Sequence, residues 1–325
     1  MERRDIVTKI LVLFPRQLWT RKQSPVRRHA ILALQRRDDT TVKISGQGWP
    51  DWRHDIDGGA VAMIEHLMPD ADAVFWYKPL GAKGIPPLID SQAVKDRWLT
   101  VESFNECWWP DHRAEREATE AGTSLVICHH ANDQQQFRTL PTVHIPHCAE
   151  KSIFAKAAKP WEKRDIDVLL CGVQSPSIYP LRAKWLELFK AGKLPGRAHY
   201  HERPPYRAKN LAACDDLVAE YASLLGRSKI VLGCSSRYRY ALARFPEAAM
   251  AGALHLSDMP HNAPPFYADF IWPPTDGALV DHVNECLCVL NELDGCTPIH
   301  DLAKQFYSQE VYAEKFLHAV SERST

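Results

Sequence analysis

The residues best suited to chemistry crowd into one stretch, Lys229 to Asp258. It carries Arg237, Arg239 and Arg244, and then a carboxylate, Glu247, just after Pro246. Arginine suits phosphate because its planar guanidinium offers several N–H donors and stays charged. The free backbone N–H groups of a helix start favour the same ligand. A carboxylate one turn into such a helix is placed to accept hydrogen bonds from a ribose diol. A nucleotide diphosphate needs both features. The plain alternative for Glu247 is an ordinary first-turn carboxylate, worth roughly 0.3–1 kcal/mol. Taken singly, Arg237 and Arg239 read equally well as solvated loop charges.

A second set is titratable. His129 and His130 follow Cys128, and His147 precedes Cys148. At strand ends, these histidines could serve as a base or contact a sugar or acceptor. The alternative for each is a loop histidine bonded to backbone. Their spacing is not that of a structural zinc site, and the chain has no Cys-x-x-Cys, so no metal site is assigned. Arg16 and Lys78 follow predicted strands and are candidate acceptor contacts, with solvated charge as the alternative.

The elements that must position these groups follow from pattern. Lys229–Cys234 is a short, β-branched apolar run stopped by turn residues, which predicts a buried strand. Pro246–Met250 predicts a short helix, with Pro in its first turn and Gly252 as its stop. Ala253–Leu256 predicts a second strand. Strand, loop, helix, strand is a βαβ unit, and parallel sheets bind ligands at the carboxyl ends of their strands. The same alternation runs through the chain. Strands are expected at Ile6–Phe14, Thr41–Ser45, Ala71–Tyr77, Arg97–Glu102, Leu125–Cys128, Val143–Ile145 and Asp165–Gly172. Helices are expected at 25–37, Gly58–Met68, Asp111–Ala121, Arg182–Lys190, Asn210–Leu225, Asp276–Leu293, Ile299–Phe306 and Glu310–Val320. Ala155–Arg164 is polar and aperiodic and reads as an interdomain linker. Leu194–Arg207 is Pro-rich and irregular.

Arg244-Phe-Pro-Glu247-Ala-Ala-Met-Ala-Gly252-Ala resembles the donor segment of GT-B glycosyltransferases, especially the spore-maturation-type branch of the family-one and family-four-like enzymes. In that family the glutamate holds the donor ribose. Many relatives place a second glutamate about seven residues earlier, where this chain has Tyr240. Three further stretches resemble the same family. His147–Phe154 is similar to the linker after the last N-domain strand, with Glu150 at an acidic position. Asp165–Gly172 is similar to the opening of the donor domain, where Gly172 lets backbone approach a phosphate closely. The run from Tyr221 to Leu232 leads into the donor motif, and Arg182 matches an arginine common in this branch.

The resemblance implies an α/β protein of two Rossmann-like domains facing across a cleft. Residues 1–158 would bind the acceptor and 159–305 the nucleotide sugar, with 306–325 a helix crossing back onto the N-terminal domain. It implies a glycosyltransferase moving a hexose or pentose with retention, without cofactor or metal. No Asp-x-Asp stands at a predicted strand end: Asp165-Ile-Asp167 opens one strand and Asp70-Ala-Asp72 precedes another. The acceptor is open among glycan, lipid, protein, small molecule and a modified base in DNA, for which Arg16, Arg21, Lys22, Arg27 and Arg28 would suit phosphates. Two rivals stay open: a sugar-nucleotide epimerase of the same fold, and a non-catalytic nucleotide-sugar-binding scaffold.

Composition is that of an ordinary globular chain. Of 325 residues, 45% are hydrophobic and 25% charged, room for two domains. Lys+Arg and Asp+Glu are both 40, so no global basic field argues for non-specific nucleic-acid binding. Nine cysteines without paired spacing fit free thiols and a cytoplasmic location. No stretch has the length of a membrane span, and the short apolar run near the N-terminus reads as a strand.

Overall fold

The computed structural model describes residues 7–19, 25–53, 59–76, 91–105, 107, 111–202, 210–261, 271–274, 279–293 and 297–323. The chain forms two compact units, Met1–Pro146 with Tyr312–Thr325, and His147–Val311.

The first unit holds a parallel sheet of β1 (Thr8–Leu13), β2 (Thr40–Ser45), β3 (Ala73–Trp76), β4 (Leu99–Phe104), β5 (Leu125–Cys128) and β6 (Thr142–His144). Their order is β2-β1-β3-β4-β5-β6. In a parallel sheet covered on both faces, inner strands lose the polar alternation and become continuous apolar runs. Ile10, Leu11 and Val12 of β1 are wholly buried for this reason. In the same unit Phe316, on the Gln309–Ser321 helix, packs edge-on against Phe75 with centroids 5.2 Å apart.

The second unit holds β7 (Ile166–Cys171), β8 (Ala198–His201), β9 (Ser228–Leu232), β10 (Leu254–Leu256) and β11 (Ile271–Trp272). All pair in parallel, in the order β11-β10-β9-β7-β8. Ile230, Val231 and Leu232 are buried to the last percent, between Leu169 and Leu170 of β7 and Leu254 and Leu256 of β10. The helices Leu211–Arg227 and Arg244–Met250 add Val218, Leu225, Phe245 and Met250 to this core.

The structure departs from expectation at β8 and at the expected linker. The irregular stretch Leu194–Arg207 contains β8, an edge strand paired to β7. Its sequence, Ala-His-Tyr-His, is half-exposed and lacks an apolar run. The expected linker Ala155–Arg164 begins inside a helix, Lys151–Ala157, whose Glu150 cap accepts from the Ser152 N–H. That helix packs so closely on its neighbour that a Cβ on Gly226 would lie 1.9 Å from the Ala157 carbonyl oxygen. The first compact unit runs to Pro146, so the helix belongs to the second.

Candidate functional site

The register of the second sheet brings three strand ends to one edge. Leu232 pairs with Leu170 on one side and Leu256 on the other. Gly172, Gly233 and Ser257 therefore leave the sheet side by side. From β7 the chain crosses to β8 in one direction, while β9 lies on the other side. This is the switch point of the sheet, where two neighbouring loops part and leave room for a ligand.

Two arginines meet there from different helices. Arg244 opens the Arg244–Met250 helix; its Nη1 donates to the Cys171 carbonyl at 2.7 Å and its Nε to the Tyr221 hydroxyl at 3.2 Å. Gly172 makes room for it. Its φ is +96°, and a Cβ there would stand 2.2 Å from Arg244 Nη2. Arg182 lies in the first turn of the Pro180–Lys190 helix and is 3% exposed. Its Nη1 donates to the Val173 carbonyl at 2.9 Å, and its plane covers the Tyr179 ring at 4.2 Å. The Arg182 Nε is buried without a hydrogen-bond partner. Burial and the neighbouring Arg244 charge pull Arg182 down to about 10. Two cations at helix starts, each opposed by its helix dipole, favour an anion between them; Tyr221 and Glu247 already offset part of the Arg244 charge.

Glu247 sits in the first turn of the Arg244 helix and is half-buried. Burial lifts the Tyr221 hydroxyl well above the usual tyrosine range; Arg244 opposes that shift and Glu247 adds to it. Tyr221, Arg244 and Glu247 thus form one group. Nothing in the arginine motif points to Tyr221; the signals for it are the family-like run that it opens and the helical spacing that puts it on the same helix as buried Val218, Ala222 and Leu225.

The loop after β9 is tied on both sides. Ser235 donates its N–H at 2.8 Å, and its hydroxyl, to the Asp258 carboxylate. The Arg237 N–H donates to the Ile178 carbonyl at 2.7 Å. Ser236 and Arg239 both adopt left-handed backbone, with φ of 67° and 56°. Arg237 and Arg239 are exposed. The Arg239 guanidinium is committed to the Met259 carbonyl, at 3.0 Å from Nε and 2.7 Å from Nη2. It clamps one loop to the next.

The three candidate histidines are all buried. His129 is buried in the first unit, with Nε2 2.7 Å from the Ser103 hydroxyl and Nδ1 2.8 Å from the Ile145 carbonyl. The carbonyl can only accept, so Nδ1 carries the proton and Nε2 accepts from Ser103. Burial and the Arg27 charge hold the ring neutral, with its pKa down to about 3. His130 is buried as well and lowered by burial, with a backbone bond at Asn105. His147 is buried and belongs to the second unit. Among the described residues, no three of the His, Cys, Asp and Glu side chains form a group that could hold a metal ion.

Arg16 is exposed after β1; its Nη1 reaches the Gly48 carbonyl at 3.4 Å, bracing the loop after β2. The first sheet has its own switch point between β1 and β3. Lys78, Arg21 and Lys22 lie outside the described residues.

No family model matches the sequence, and no curated protein matches it. Solved structures do. The chain is similar to a glycosyltransferase from Rickettsia africae with a TM-score of 0.63 at 12% identity, covering 97% of this chain and 98% of that one. It is similar to Anabaena HepE, solved with UDP and glucose, with a TM-score of 0.58 at 12% identity over 97% and 100% of the two chains. A sucrose-phosphate synthase from Thermosynechococcus elongatus matches with a TM-score of 0.57 at 10% identity over 97% and 98%.

The fold is GT-B. The GT-B match runs through both units, while the sequence motifs cover only part of the chain. Among the described residues, no helix of this GT-B chain is long and apolar enough to cross a membrane.

Proposed function

We propose that the protein is a glycosyltransferase that moves a sugar from a nucleotide-diphosphate sugar, held by the second unit, to an acceptor held by the first. The observation that carries this reading is the convergence of Arg182 and Arg244, from two helices, at the switch point of the second sheet beside Gly172. The diphosphate lies over Gly172 between the two guanidiniums. Glu247 accepts the ribose hydroxyls. As the glycosidic bond to the diphosphate breaks, negative charge grows on the leaving oxygen. Preorganised cations away from water stabilise that charge most effectively. Arginines fill the place a divalent cation takes in other transferases, so transfer is metal-independent; the likeness of the donor segment to retaining families implies that it keeps the anomeric configuration. HepE was solved with UDP, which makes UDP the first nucleotide to test. In this reading His129 ties the end of β5 to β4 and to the residue after β6 instead of taking a proton, because both its nitrogens are engaged.

The test is a thermal-shift screen against nucleoside diphosphates and their sugars. A ligand of the native state raises Tm with occupancy. Stabilisation by one nucleoside diphosphate, reduced in Glu247→Ala, supports the donor assignment and names the base. No response to any nucleotide from the folded protein would overturn it and leave a scaffold with this fold.

A further inference from the structure

β10 reads Leu254-His255-Leu256, a titratable ring in an otherwise apolar strand. His255 pairs in register with Val231. It is 1% exposed, and neither ring nitrogen has a hydrogen-bond partner. Buried polar groups without partners are rare in folded proteins, and each one asks for an explanation.

The ring is held tightly. Its plane stands edge-on to Phe245, with centroids 4.1 Å apart. Its Nε2 lies 2.0 Å from where a Cβ on Gly233 would sit, so the imidazole fills the space that a side chain at 233 would need. Phe245 directly follows Arg244 in its helix, and Gly233 leaves the sheet beside Gly172, over which the Arg244 guanidinium lies. Burial, with the charges of Arg244 and Arg182, keeps the ring neutral. A neutral imidazole still carries one N–H donor. Arg182 Nε, whose charge the ring feels, is a second buried donor without a partner. Unused donors beside two guanidiniums call for one kind of ligand, an anion with several acceptor oxygens.

We propose that His255 is a binding residue for the diphosphate, its ring N–H donating to a phosphate oxygen held between Arg182 and Arg244. This rests on reading the second unit as the nucleotide-diphosphate site. It adds a ligand that no motif in the sequence marks. His255 also carries Gly233 into the site's geometry, since the imidazole occupies that position only because residue 233 has no side chain.

The experiment is titration calorimetry of wild type, His255→Leu and His255→Gln with UDP, uridine and inorganic pyrophosphate. Leu keeps the volume and removes both nitrogens, whereas Gln restores one N–H. The expected result is a loss of about 10- to 100-fold in affinity for UDP and pyrophosphate in His255→Leu, the range of one hydrogen bond to a charged group. Uridine binding should not change, and His255→Gln should recover part of the loss. Unchanged UDP and pyrophosphate affinity in a folded His255→Leu protein would overturn the proposal while leaving the donor reading intact. Equal losses for uridine and UDP would also overturn it, by showing general damage. If wild type binds pyrophosphate but no nucleotide, the donor reading fails and His255 is judged on pyrophosphate alone. Binding of neither would overturn both. Should His255→Leu not fold, 15N-histidine spectra of wild type decide: one neutral imidazole must shift its ring N–H signal on adding pyrophosphate, and no shift overturns the proposal.

Discussion

In the proposed donor site Arg244, Gly172 and Glu247 have separable jobs, and substitutions should separate them. Arg244 spends two donors on the Cys171 carbonyl and Tyr221 hydroxyl, which fixes the guanidinium. Arg244→Lys keeps the charge but loses that fork. It should weaken UDP by about tenfold or more and leave uridine nearly unchanged, as measured by calorimetry. Glu247→Ala should weaken UDP and uridine by the same factor, because both carry the ribose. Unequal losses there would remove Glu247 from the ribose. Gly172→Ala meets two obstacles, a φ of +96° and Arg244 Nη2 at 2.2 Å from the new Cβ. It should destabilise the protein by roughly 1–3 kcal/mol in urea unfolding and weaken UDP as well, since the arginine must move. A neutral outcome would mean that the backbone at 172 relaxes freely. EDTA should leave any transfer activity in place, because the arginines carry the charge; activity that returns only with added cation would reverse that.

The elements explain why some of this was legible in the sequence and some was not. Lys229–Leu232 and Leu254–Leu256 announce themselves because inner parallel strands are apolar on both faces, and Pro246, Glu247 and Gly252 mark the ends of the helix between them. β8 does not, because an edge strand needs no apolar run. His255 escapes for a different reason. A histidine inside a three-residue strand has no period of its own, and only the neighbours supplied by the fold, Gly233, Phe245 and the two arginines, give it meaning. The Lys151–Ala157 helix was masked by a lysine-rich, proline-containing stretch and is decided by long-range contacts. Glu150 caps it, accepting from the Ser152 hydroxyl at 2.7 Å and from Gln309 Nε2 at 2.8 Å. The Ala149 N–H donates to the Tyr307 carbonyl, which adds a second tie between the same two segments. Glu150→Ala removes the cap and leaves the buried Gln309 Nε2 with Glu310 as its remaining acceptor. It should cost about 1–2 kcal/mol, read as a lower urea midpoint, and Glu150→Gln should recover part of it. A midpoint unchanged in Glu150→Ala would show that the Ala149 and Tyr307 backbone tie is enough.

The whole molecule carries a charge signature of its own. Its formal net charge is zero, yet several histidines are buried where they cannot protonate. Burial, with Arg28 and Arg36 beside it, drives His29 down to about 3; burial and Arg27 do the same to His129. His130 and His255 are also lowered well below the ordinary range, chiefly by burial. The unfolded chain takes up these protons near pH 6.5, and the folded chain does not until far lower pH. Between those limits the unfolded state binds more protons, so stability falls as pH falls. Each histidine contributes a slope that approaches about 1.4 kcal/mol per pH unit as the pH falls well below 6.5. His29 and His129 alone then predict about 2.4 kcal/mol lost between pH 6 and 5, above the range in which carboxylates titrate. Three of these four residues belong to the first unit and one to the second, so the first unit should open earlier on acidification. Urea unfolding at pH 7, 6 and 5, followed by tryptophan fluorescence, measures the slope. Hydrogen exchange along the chain shows which unit opens first. His129→Gln, which can still bond Ser103 or Ile145, should remove about one proton from the slope. A stability independent of pH over this range would mean that these rings reach water in the folded protein, against the two hydrogen bonds that hold His129 inside.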